Sequence, residues 1–196
     1  MGGGTLCGLW IADDGRAHVS VATPDGGREE RVESFRPFAW LNDTPAGLSV
    51  PGVAIEQLQG PGPFNRLLQA DSLEVYDTFL KQAKETVGVD AIRPLESQFL
   101  LQHRQRLYRE LAFGQLRRCQ LDIETGSSDG SFSDASRPED RILAIGLRCN
   151  GRNRLLVLEE LTAAAEKQLL ESLNVALREE DPDVIEGHNL FKFDLD

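Results

Sequence analysis

The sequence predicts an α/β protein (α+β overall), with a β-rich N-terminal domain over residues 1–106 and a mixed-sheet domain over residues 107–196. Three observations carry this reading. Short runs of alternating apolar and polar residues, broken by Gly, Pro and Asp, fill the first 60 residues. Two segments with helical spacing of apolar residues follow. From Arg117 the pattern becomes strand, strand, strand, helix, strand, which is the order of an antiparallel meander with a crossover to a parallel strand.

The elements follow from local chemistry. Residues 5–12 and 16–22 flank Asp13-Asp14-Gly15 and read as paired strands. Val32 to Asn42 reads as one further strand around Phe35, Phe38, Trp40 and Leu41, and Val53–Leu58 as another. Asp71 can cap a helix from Ser72 to Val87, with Glu74 completing the pair. Its apolar face is Tyr76, Phe79, Leu80, Ala83 and Val87. A second helix covers Leu95 to Gln105, with Phe99 and Leu100 inward and His103 on the polar side. Strands are expected at Arg117–Thr125, Arg141–Cys149 and Asn153–Leu158, the last two joined by Asn150-Gly151, a strong hairpin signal. Thr162 caps a helix to Glu180 with Ala165, Leu169, Leu173, Ala176 and Leu177 on one face, and Asp181-Pro182 ends it before a strand at Val184-Ile185.

Composition excludes several classes. No apolar run approaches the ~20 residues a membrane helix needs, so no membrane partner is expected. MGGGTLCG has no basic stretch ahead of an apolar core, and Leu6 breaks the myristoylation pattern. Cys7, Cys119 and Cys149 are odd in number and widely spaced, which argues against a disulfide framework or a zinc site and suits a reducing cytoplasm. The net charge of −11 is uneven. Residues 101–120 hold five arginines (Arg104, Arg106, Arg109, Arg117, Arg118) against Glu110 alone, directly before the most acidic stretch. That run is either a solvated helix face or a strip contacting phosphates beside an acidic, metal-dependent site.

Two segments carry chemistry. In Leu121-Asp122-Ile123-Glu124-Thr125, strand alternation turns Leu121 and Ile123 to the core and sets Asp122 and Glu124 on the other face. At the rise of a strand the two carboxylates lie roughly 7 Å apart. Side by side they repel, and a hard divalent cation, Mg²⁺ or Mn²⁺, removes that cost. By itself a D-x-E triplet is weak. The second segment, Asp183 to Asp194, ends a strand at Gly187, continues through Asn189, and reaches Phe193 and Asp194. If a helix starts near Leu190, Asp194 faces back over the strand ends, where open sheets place their sites. Alone this is an ordinary strand–loop–helix junction in which Asn189 bonds a backbone group or a substrate.

Together the segments are far more specific. The order of elements is the opening of an RNase H-like fold, and D-I-E followed by G-x-N-x-x-x-F-D resembles the first two exonuclease motifs of family-B DNA polymerases. The run Gly130-Ser131-Phe132-Ser133-Asp134-Ala135 with Asp140-Arg141-Ile142, the approach from Leu107 to Leu121, and Phe35-Arg36-Pro37-Phe38 extend the likeness. The resemblance implies a DEDD-type 3′→5′ proofreading exonuclease that hydrolyses the 3′-terminal phosphodiester of single-stranded DNA with two Mg²⁺ or Mn²⁺ ions. Asp122 would bridge both ions, Glu124 would hold the one that activates water, and Asp194 would help hold the second. Thr125, Asn189 and Phe193 would shape the pocket for the last nucleotide. The 15-residue loop Gly126–Asp140 is expected to be mobile without DNA and to reach the 3′ end.

The likeness has limits. The family's third motif, a tyrosine or histidine and a final aspartate on a later helix, has no counterpart in the 196 residues, so an incomplete RNase H-like domain with little activity of its own is expected. Two other readings stand beside it: a non-catalytic RNase H-like nucleic-acid-binding module, and a stand-alone DEDD nuclease acting on RNA. The sequence carries no sign of oligomeric state.

Overall fold

The structure is a computed structural model and describes residues 4–188 and Leu190. The chain divides into two compact units, Met1–Glu110 and Leu111–Asp196. No helix among the described residues is long and apolar enough to cross a membrane.

The first unit holds two sheets. Strands β1 (Thr5–Ile11), β2 (Arg16–Ala22) and β3 (Arg28–Ser34) make an antiparallel meander. Strands β4 (Phe38–Leu41), β5 (Val53–Gln57), β6 (Arg66–Ala70) and β7 (Val89–Asp90) form a second sheet in the order β5-β6-β4-β7. The single strand expected over Val32 to Asn42 is thus two strands in different sheets. The break is at Phe35-Arg36-Pro37, where proline fixes φ and removes an amide donor from the ladder.

Helix α1 (Leu73–Ala83) is capped by Ser72, whose Oγ accepts from the amide of Val75 at 3.2 Å, rather than by Asp71. The Asp71 carboxylate instead receives the Arg36 guanidinium at 2.6 Å. Tyr76, Phe79, Leu80 and Ala83 bury one face of α1 against Ala39, Leu41, Leu68 and Ala70. The helix stops at Ala83, before Val87, and the amide of Val87 turns back to the Ala83 carbonyl at 2.9 Å. Helix α2 (Leu95–His103) buries Phe99, and His103 stacks on that ring from the exposed side with centroids 4.0 Å apart.

A buried polar network ties this unit together. The Phe38 amide donates to Gln98 Oε1 at 2.8 Å. Gln98 Nε2 donates to the Tyr76 hydroxyl at 3.1 Å and to the Ile92 carbonyl at 2.8 Å. The Tyr76 hydroxyl donates to the Phe38 carbonyl at 2.9 Å. Every polar atom taken from water at Gln98 therefore finds a partner. Burial pushes the Tyr76 phenol above its ordinary range.

The second unit carries one mixed sheet in the order β10-β9-β8-β11. Strands β8 (Arg118–Gly126), β9 (Arg141–Cys149) and β10 (Arg152–Val157) are an antiparallel meander, and β11 (Val184–Glu186) pairs parallel to β8. Asn150 and Gly151 make the hairpin with φ of 51° and 82°, the left-handed values that this turn requires. Helix α3 (Ala163–Glu180) is the crossover, capped by Thr162, whose Oγ1 accepts from the Ala165 amide at 3.2 Å. It lays Leu169 and Ala176 on Cys119, Leu121, Ile145 and Leu147, closing one face of the sheet.

One expectation fails here. Cys119 and Cys149 are direct cross-strand partners and form a disulfide, while Cys7 is buried and outside that disulfide. Wide spacing in sequence hid the pairing, because the two positions meet only through the β8–β9 ladder.

Candidate functional site

Strand β8 places the first pair of carboxylates. Cys119 and Leu121 are buried under α3, whereas Gln120, Asp122 and Glu124 are exposed on the opposite face. The alternation follows from the two-residue period of a strand whose apolar positions are anchored in the core.

The neighbours of these carboxylates are small. Asp122 stands opposite Gly146, and Glu124 opposite Ala144. An open hollow of about 600 Å³ lies beside Asp122, lined also by Gln120, Gly146, Arg148, Glu186 and His188. Arg148 is exposed on this face, while Glu186, aligned with Gln120, is ion-paired to Arg118. Among the described residues, neither the Asp122 nor the Glu124 carboxylate has a hydrogen-bond or ion-pair partner. Paired carboxylates with no internal partner are suited to a hard divalent cation, since only oxygen donors are presented. No group of three or more His, Cys, Asp or Glu side chains placed to hold a metal ion forms among the described residues. Asn189, Phe193 and Asp194 lie outside the described residues, so the second segment joins the site only up to His188 and through Leu190, which is buried in the core of this unit.

Thr125 lies just beyond a register shift in the β8–β9 ladder, which passes from Glu124–Ala144 to Thr125–Ile142 and leaves Leu143 as the extra residue. Its Oγ1 accepts from the Ser133 hydroxyl at 2.6 Å, tying the end of β8 to the loop 127–140.

That loop, expected to be mobile, carries a dense local network centred on Asp140. Asp140 is buried and accepts from the amide and hydroxyl of Ser128 and from the amide of Asp134, at 2.9, 3.0 and 3.0 Å. The Arg137 guanidinium pairs with Asp140 at 2.8 Å and with Asp129 at 2.7 Å. These contacts hold the carboxyls below their ordinary value, Asp129 chiefly through the Ser131 hydroxyl and Asp140 chiefly through the Ser128 amide. Phe132 is left at the loop surface, 92% exposed.

The arginine-rich segment is not a helix face. The chain from Arg104 to Leu111 runs through turns, with positive φ at Arg104, Tyr108 and Glu110. Arg104, Arg106 and Arg109 belong to the first unit, and Arg117 and Arg118 to the second. Arg117 pairs with Asp181 at 2.8 Å, and Arg118 lies 4.3 Å from the centroid of the Phe113 ring besides its pairing with Glu186. The last two arginines are thus engaged within their own unit.

Gly146, Ala144 and Arg148 were not visible as site residues in the sequence. Register alone identifies them, and no short turn between β8 and β9 announces it.

Residues 95–196 match the DNA polymerase family B exonuclease domain. The fold is similar to the structure of the family B DNA polymerase from the hyperthermophilic archaeon Pyrobaculum calidifontis, with a TM-score of 0.66 and 18% sequence identity. The alignment covers 95% of this chain and 30% of that one, so the chain spans under a third of that polymerase. No curated protein matches the sequence. Because the family match takes in more than half of the residues and includes the strand with Asp122 and Glu124, the chain belongs to the DNA polymerase family B exonuclease-domain family.

Proposed function

We propose that this chain is part of a metal-dependent 3′→5′ proofreading exonuclease that hydrolyses the 3′-terminal phosphodiester of single-stranded DNA in the cytoplasm. The observation that carries the reading is the pair Asp122 and Glu124, exposed on one strand face, their carboxylates without partners among the described residues, opposite Gly146 and Ala144. A strand gains nothing structurally from two adjacent unpaired carboxylates. They are oxygen donors of the kind that Mg²⁺ or Mn²⁺ takes.

Asp122 and Glu124 would hold the ions, with Asp194 as a third ligand by the motif that contains it. When bound, such ions activate water and neutralise charge on the leaving oxygen. The chain's own part is to keep two carboxylates fixed on a rigid strand, to leave space beside them, and to receive the terminal nucleotide with Thr125, Asn189 and Phe193. Anchoring on β8 matters because a misplacement of about 1 Å can cost on the order of 10²-fold in rate.

The test pairs binding with activity. Mn²⁺ titration of the 196-residue chain should show binding that Asp122→Ala and Glu124→Ala each weaken. A chain continuing through the family's third motif should remove 3′ nucleotides from single-stranded DNA far faster than the 196 residues alone, and both substitutions should abolish that activity. If the longer chain binds DNA but neither binds Mn²⁺ nor degrades the strand, the domain is a non-catalytic nucleic-acid-binding module.

A further inference from the structure

Cys119 is the second residue of β8 and Cys149 the last of β9, and their disulfide lies on the face of the sheet closed by α3. Their Cα atoms are 4.0 Å apart. The neighbouring pair, Arg118 and Asn150, is hydrogen-bonded, the Asn150 amide donating to the Arg118 carbonyl at 3.1 Å. Cys119 and Cys149 therefore occupy a non-hydrogen-bonded position, where facing side chains come closest. Both side chains are buried, but Cys149 directly precedes the exposed Asn150-Gly151 turn. Exchange at these sulfurs therefore requires local opening of this end of the ladder and of the α3 side chains that cover it.

We propose that Cys119 and Cys149 form a redox-sensitive clasp: a disulfide formed by exchange with small disulfides such as oxidised glutathione and reopened by dithiol reductants, which sets the stability of the strand pair bearing Asp122. In the closing direction the thiolate of one cysteine attacks a glutathione sulfur and expels one glutathione thiolate. The second cysteine thiolate then attacks the protein sulfur of that mixed disulfide and expels the other. Two protein thiols lose two electrons and two protons, and one glutathione disulfide becomes two thiols. The clasp joins positions 30 residues apart, so closing it removes freedom chiefly from the unfolded chain. It also pins the register that sets Asp122 opposite Gly146, three residues further along the same ladder. Cys7, in the other unit, takes no part.

The experiment equilibrates the purified 196-residue chain with oxidised glutathione or with dithiothreitol, quenches in acid, alkylates free thiols under denaturing conditions and maps the peptides. The expected result with oxidised glutathione is a Cys119–Cys149 link and an alkylated Cys7. The linked chain should melt on the order of 5–10 °C above the reduced one. Cys7→Ser should keep that difference, and Cys119→Ala/Cys149→Ala should abolish it, melting alike in both buffers. Alkylation of both Cys119 and Cys149 after exposure to oxidised glutathione overturns the proposal. So does a link that leaves the melting midpoint unchanged. If the double variant does not fold, the mapped wild-type chain in the two buffers decides alone.

Discussion

Asp122 stands directly opposite Gly146 across the β8–β9 ladder, so no side chain rises beside its carboxylate from the neighbouring strand. The glycine is not needed for backbone conformation. A Cβ placed there would meet only the Asp122 carbonyl oxygen, at 3.8 Å, an ordinary contact. What the glycine provides is space. Gly146→Ala is therefore expected to fold at least as stably, since glycine in a strand interior costs roughly 0.5–1 kcal/mol. Gly146→Leu should fill the hollow and weaken Mn²⁺ binding roughly tenfold, about 1.4 kcal/mol. Calorimetric titration of both variants checks this; equal affinity in the leucine variant would remove the role given to the open space.

The carboxylate pair predicts opposite signs with and without metal. In chelator, Asp122→Asn should leave the melting midpoint unchanged or slightly raised, because it relieves repulsion with Glu124 on the same face. With Mn²⁺ at about 100 times its dissociation constant, the wild-type chain should gain about 2.7 kcal/mol and the variant little. Thermal melts of the two proteins with and without Mn²⁺ provide the measurement. A variant destabilised in chelator would mean that Asp122 has a structural partner.

The parts of this site that were legible in the sequence are those with short-range causes. Alternation along β8 exposes Asp122 and Glu124 because Cys119 and Leu121 bury the other face, and the cap and apolar spacing of α3 lie within the helix itself. Contacts across the ladder were hidden. The connection between β8 and β9 is a long loop, not a two-residue turn, so nothing local sets the register that pairs Asp122 with Gly146 or Cys119 with Cys149. Arg66–Ala70 was missed as a strand because its half-buried Arg66, Leu67 and Gln69 blur the alternation, and its pairing with Phe38–Leu41 and Val53–Gln57 comes from tertiary context.

In the first unit, Gln98 accepts from the Phe38 amide and donates to the Tyr76 hydroxyl and the Ile92 carbonyl, with no exposed surface. Gln98→Leu keeps the volume but strands those partners away from water. The expected cost is about 2–4 kcal/mol, the sum of one or two buried groups left unsatisfied. Urea unfolding should show a lower midpoint at unchanged slope. A variant as stable as the wild type would show that water replaces the glutamine.

Asp140 makes the loop 127–140 sensitive to acid. Its carboxylate accepts from Ser128 and Asp134 and pairs with Arg137, so its folded value lies below the ordinary 3.8. A carboxyl whose value falls on folding contributes stability that is fully present above its unfolded value and is lost as pH drops through the lower folded one. Asp129 and Asp134 are shifted in the same direction by Ser131 and Ser136. The loop should therefore hold its arrangement from neutral pH down to about 4 and loosen only below that. Carboxyl resonances followed by NMR should titrate below 3.8 for Asp140, and amide exchange within residues 127–140 should quicken over the same interval. Asp140→Asn removes the buried charge that pairs with Arg137, so the loop should exchange faster at neutral pH and keep only the acid dependence that Asp129 and Asp134 carry. An Asp140 that titrates at its ordinary value, with loop exchange unchanged in the asparagine variant, would show that the carboxylate is not the anchor.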